Sequence, residues 1–195
     1  MPASAQGTER WTAQRVRDEL LDDTRPTPRY ELVDGELLVT PSPDYPHQRA
    51  VKALLLVLDP YVERHGIGEP LLSPSDIEFE PNTIVQPDLY VAHFGDPHAR
   101  RWSESDRMLL AIEILSPSSA RYDRVTKRRF YAGVGVPEYW VVDLDARVVE
   151  RTRPGDDRVE LCEQALAWHP AGAPEPLVVD LVELFRRVLG DGGAS

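Results

Sequence analysis

Two carboxylates stand in strand-like runs, one of them where a carboxylate is expensive. Glu113 lies inside LLAIEIL (residues 109–115), an otherwise apolar run. An acid there must be ion-paired, hydrogen-bonded or bound to a metal; a structural ion pair with an arginine serves as well as a metal. Asp88 follows Gln86 and Pro87 in the strand-like run IVQPDLYVA. Pro87 has no backbone donor, which places this position near a sheet edge or a bulge. Between Arg121 and Tyr131 stand Arg121, Arg124, Lys127, Arg128 and Arg129 against Asp123 alone, a local +4 (5 − 1) in a chain of −11. Tyr122, Phe130 and Tyr131 interleave them. Such a helix can meet phosphates, or it can be an amphipathic surface helix whose charges pair with nearby acids. The only lysines are Lys52 and Lys127. At Lys127 a compact ammonium, able to shift its pKa or hold a water, can do what a guanidinium cannot; the plainer reading is a surface pair with Asp123 four residues earlier. His47 opens a helix after a proline-rich loop and could be a cap, a surface residue or part of a site. His65, His93, His98 and His169 have no ligand spacing, and no zincin, nucleophile-elbow, phosphate-loop or dinucleotide motif occurs. Cys162 reads as a small strand residue.

These residues need elements to position them. Thr12 caps a short helix, TAQRVRDELL, that ends in DDTRPTP. YELVDGELLVT reads as a hairpin around Asp34-Gly35, a pair that tolerates positive φ. HQRAVKALLLVLDPYVERHG has helical spacing at Val51, Leu54, Leu55 and Leu58; Pro60 is a place for a kink and Gly66 for a stop. Strand-like runs follow in IGEPLLS, DIEFE and IVQPDLYVA. The polar connection HFGDPHARRWSESDR leads to MLLAIEILS, apolar enough for a central strand buried on both faces. A capped helix spans roughly Ala120 to Ala132, then EYWVVDL and ARVVERTR make a hairpin. The tail holds weak strands and a short helix, VDLVELFRRVL. The order implies an α/β (α+β) mixed sheet flanked by helices, with an N-terminal helix and hairpin.

The chain has 195 residues, 42% hydrophobic and 28% charged. That suits one domain over residues 11–189, with a frayed start (1–10) and a flexible tail (190–195). A net charge of −11 excludes a generally basic nucleic-acid coat protein while leaving room for a local basic patch. One cysteine makes neither an intramolecular disulfide nor a zinc cluster, and the opening lacks a signal peptide's apolar stretch. No apolar run is long enough to span a bilayer. The expectation is a cytoplasmic protein without a membrane segment.

The ordered set YELVDGEL, a helix opening with His47, VQPDLYVA, LAIEILSPSS and YDRVTKRRFYAGVGVPEYWVVD resembles the Uma-two family of restriction-endonuclease-like proteins, within the PD-(D/E)XK nuclease superfamily. The likeness runs from about Tyr30 to Asp143. It implies a metal-dependent endonuclease acting on DNA, with Asp88 and Glu113 binding Mg²⁺ (or Mn²⁺) and the backbone carbonyl of Ile114 completing the protein ligands. The superfamily's lysine stands two residues after the Glu, where this chain has Leu115. Lys127 on the next helix is the replacement this resemblance suggests, and Glu36 in the hairpin matches the superfamily's earlier Glu. On this reading Arg121, Arg124, Arg128 and Arg129 contact phosphates, and Lys127→Ala stops cleavage with folding nearly intact. A homodimer suits the cutting of two strands. The alternative is a catalytically inactive nuclease-like binding or regulatory module.

Overall fold

In the computed structural model, residues 10–20, 29–40, 42–79, 82–95 and 107–190 are described. Residues 1–9 of the expected frayed start (1–10), all of DDTRPTP, most of the polar connection after His93 and the tail beyond Gly190 lie outside them.

Helix α1 (Ala13–Glu19) begins where Thr12 accepts a hydrogen bond from the Arg15 N–H. The hairpin forms as β1 (Arg29–Val33) and β2 (Glu36–Thr40), turning on Asp34 and Gly35, both with positive φ. Helix α2 (Tyr45–His65) is capped by Asp44 and stops at left-handed Gly66. It continues through Pro60 rather than ending there. Asp59 and Pro60 are exposed, so the hydrogen bond that proline removes faces water.

The chain then runs through β3 (Glu69–Leu72), β4 (Ile77–Phe79), β5 (Thr83–Val85), β6 (Leu89–His93) and β7 (Arg107–Ile114). Gly68 is needed before β3: a Cβ there would lie 2.4 Å from the Ala92 carbonyl oxygen. The run IVQPDLYVA, read as one strand, is two. It breaks at Gln86-Pro87-Asp88, and its halves join different sheets. One sheet is antiparallel, in the order β2-β1-β5-β4, with α1 against it through Ala13, Val16, Leu32 and Ile84.

The other sheet has the order β10-β9-β8-β7-β6-β3, adding β8 (Tyr139–Asp143), β9 (Val148–Thr152) and β10 (Glu160–Cys162). Only β7 and β8 pair in parallel, which makes this sheet mixed. Strand β7 is central and buried from Met108 to Ile114, as its apolar run predicts. A small pair, β11 (Ala165–Trp168) and β12 (Leu177–Asp180), leads to α4 (Leu181–Leu189). One face of the six-stranded sheet, including Leu110, Ile112, Ile114 and Trp140, packs against α2 and α4. The opposite face, including Ala111, Tyr139 and Val141, packs against a π-helical turn (Tyr122–Lys127) and the helix α3 (Arg128–Gly133) into which it runs. Helices therefore cover both faces.

Candidate active site

Strand alternation decides which way Glu113 points. Ile112 and Ile114 face α2 and α4, so Glu113 shares the other face with Ala111. There it meets Lys127. The Lys127 Nζ lies 2.9 Å from Glu113 Oε1, 2.8 Å from Glu31 Oε1 and 3.4 Å from Asp123 Oδ1. All four side chains are at most 4% exposed. The surface-pair reading of Lys127 is thus corrected: Asp123 is a neighbour, but the pair sits in the protein interior with two further carboxylates.

The helix expected over residues 120–132 forms with one irregularity, the π turn that carries Asp123 and Lys127. Its i→i+5 bonding widens the helix locally. The Asp123 carbonyl accepts the Tyr139 hydroxyl at 3.0 Å, which ties the turn to β8.

Asp88 stands at the β5–β6 break rather than within a strand. Its Oδ2 accepts the Ile114 N–H at 2.9 Å and lies 3.0 Å from His47 Nε2. Glu31 joins the same assembly from β1: its Oε1 accepts the Gln86 N–H at 2.8 Å as well as the Lys127 ammonium. Asp88, Glu113, Ile114, Glu31, Lys127 and His47 all line one cavity of about 710 Å³.

The other expected site residues divide. Glu36 is exposed at the turn end of the hairpin, opposite Val33, and does not line the cavity. The hairpin acid that reaches the cavity is Glu31, and the expectation for Glu36 is corrected accordingly. Glu31 had a weaker signal than Glu113, an acid flanked by Tyr30 and Leu32 in a strand-like run. Arg124 is not a free phosphate contact. Its Nε donates to Glu150 Oε1 at 2.6 Å and its Nη2 to Asp143 Oδ2 at 2.7 Å. Arg121 and Arg129 are exposed and Arg128 is half-buried, all three away from the cavity lining. Cys162 is buried on β10, and burial raises its thiol pKa.

Burial pushes Glu113 well above the usual carboxylate range; Lys127 opposes this, while Asp123, Asp88 and Glu31 reinforce it. Asp123 is raised too, chiefly by burial. For Lys127, burial alone favours the neutral amine, but Glu113, Glu31 and Asp123 outweigh it and hold the pKa well above the ordinary lysine value. The group is an ammonium at neutral pH.

The donor chemistry fits a hard divalent cation. Glu31, Glu113 and Asp123 surround a single ammonium and Asp88 lines the same cavity; the buried Asp123 Oδ1 has that ammonium at 3.4 Å but makes no hydrogen bond. Among the described residues no group of three or more His, Cys, Asp or Glu forms a ready-made metal cage. Mg²⁺ does not require one, because it is commonly held by one or two carboxylates plus waters and substrate oxygens.

Residues 17–185 match a family model, Uma2, described as "putative restriction endonuclease". No curated protein matches the chain. Among solved structures, the fold is similar to a "putative nuclease belonging to DUF820" from Anabaena variabilis. That likeness has a TM-score of 0.68 at 23% identity, covering 83% of this chain and 92% of the other.

Proposed function

This chain belongs to the Uma2 family of restriction-endonuclease-like proteins, and on that premise we propose that it is a metal-dependent endonuclease hydrolysing DNA phosphodiester bonds. The observation that carries the proposal is the buried assembly of Asp88, Glu113, Glu31 and Lys127 on one cavity. Asp88 and Glu113, with the adjacent Ile114 carbonyl, would hold Mg²⁺ or Mn²⁺. When bound, such a cation supplies Lewis acidity toward the phosphodiester.

The chain's own residues supply the rest. Lys127 offers a fixed positive charge to the negative charge that develops on the phosphate, and its raised pKa suits that role better than proton abstraction. Glu31 and Asp123 hold the ammonium beside Glu113, so it needs no reorganisation during the reaction. Leu115, two residues after Glu113, cannot supply that charge, and the Lys127 ammonium beside Glu113 can. Arg121, Arg128 and Arg129 lie outside the cavity and would meet flanking phosphates. A two-fold pair of chains suits double-strand cutting, and we assign the activity to the cytoplasm.

Plasmid DNA incubated with Mg²⁺ or Mn²⁺ tests the proposal. Wild type should nick or linearise it; Asp88→Asn should lose at least about 100-fold, since losing even a hydrogen-bond partner of a metal ligand costs up to about that much. Intact plasmid with wild type in both metals would overturn it. A second reading, an inactive nuclease-like binding module, is favoured by one feature: Lys127 and Arg124 are already engaged by carboxylates.

A further inference from the structure

His47 is absent from the proposed chemistry, yet it is buried against Asp88. Its backbone is fixed first. Asp44 caps α2 by accepting the His47 N–H at 2.9 Å, with Tyr45 and Pro46 in the first turn. The imidazole is thereby delivered to the cavity wall, where Nε2 sits 3.0 Å from Asp88 Oδ2. A carboxylate oxygen only accepts, so Nε2 carries the hydrogen. Nδ1 is buried without a partner. An apolar side chain would fill this place without that orphan atom, so packing does not account for a histidine here.

We infer that His47 is a positioning residue for the metal-binding carboxylate. Its Nε2–H and the Ile114 N–H converge on one oxygen of Asp88, from α2 on one side and β7 on the other. Two donors from different elements fix both the rotamer and the plane of the carboxylate. Asp88 needs this more than a strand residue does, because it stands at the break between two sheets. Partners of this kind typically govern metal affinity. The inference rests on the reading of Asp88 as a metal ligand.

The test measures Mn²⁺ binding without DNA, from the electron paramagnetic resonance of the free ion. It uses wild type, His47→Ala, His47→Asn, His47→Gln and Asp88→Asn, each checked for folding by circular dichroism. Gln can place an amide N–H near the position of Nε2; Asn, one methylene shorter, cannot. Binding should weaken about 10- to 100-fold in His47→Ala and His47→Asn and stay within about 3-fold of wild type in His47→Gln. Should the Ala variant fail to fold, the Asn and Gln pair decides. Wild-type affinity in His47→Asn, or a Gln variant as weak as Asn, overturns the inference. If Asp88→Asn loses binding while His47→Asn keeps it, only the role of His47 falls. If Asp88→Asn binds as wild type does, the assignment of Asp88 as a ligand falls instead.

Discussion

At the residue scale the central fact is one ammonium among three carboxylate partners. Removing one member of a buried ion pair strands the others, at a cost of about 3–5 kcal/mol. Lys127→Ala should therefore unfold at markedly lower urea as well as lose cleavage, which revises the expectation of nearly intact folding. Lys127→Arg should restore little, since a planar fork does not fit a pocket built for a compact charge. Because the Lys127 pKa is raised, its contribution to stability is complete below the unfolded lysine value and is lost only as pH rises through the higher folded value. Glu113 has the opposite consequence. Its folded form holds a proton more tightly than the unfolded chain, so stability falls as pH rises from about 4.3 through the raised folded value. Glu113→Gln should melt at or above wild type at pH 8, and the difference should vanish toward pH 4. A variant clearly less stable at pH 8 would contradict this. Glu113 was legible as a costly acid in an apolar run, and Asp88 through the family resemblance and its proline-marked run. Glu31 carries a weaker mark, an acid between Tyr30 and Leu32, and the family resemblance points to Glu36 instead. The contact between His47 and Asp88 depends on how α2 lies over the β5–β6 break, and local spacing does not encode that.

Elements were legible where period and caps agree: α1, the hairpin, α2, β7 and the β8–β9 hairpin all form as their patterns imply. Two were not. Pro87 broke a run that alternation treats as continuous, because a missing donor outweighs β propensity at that point. The π turn has no propensity signature of its own; what anchors it is tertiary, the Tyr139 hydroxyl on the Asp123 carbonyl and the carboxylates on Lys127. This helix also separates the arginines by task. Arg124 braces β8 and β9 through Asp143 and Glu150. Arg128→Glu should accordingly lower the salt dependence of DNA binding by about one to two phosphate equivalents. Arg124→Ala should leave that slope unchanged and lower the melting temperature. Equal slopes for wild type and Arg128→Glu would remove this helix from the DNA interface.

For the whole molecule, the acidic balance and the acidic cavity point the same way: a cation should be the first ligand to enter. Binding to the folded state alone stabilises by about 2.7 kcal/mol at 100 times Kd. For a chain of this size that is a rise of about 5–10 °C in Tm with Mn²⁺, and Asp88→Asn should abolish it. No such rise in wild type would favour the inactive module. The cavity also has a history in time. Its charged groups come from β1, the β5–β6 junction, β7 and the π turn, stretches of chain far apart in sequence and divided between two sheets. While the chain is still assembling, each carboxylate keeps its own hydration, and the mutual repulsion appears only when the last piece docks. The cluster therefore opposes the final step of folding rather than the early ones. A divalent ion supplied during refolding should act late, holding the finished molecule closed without hastening its start.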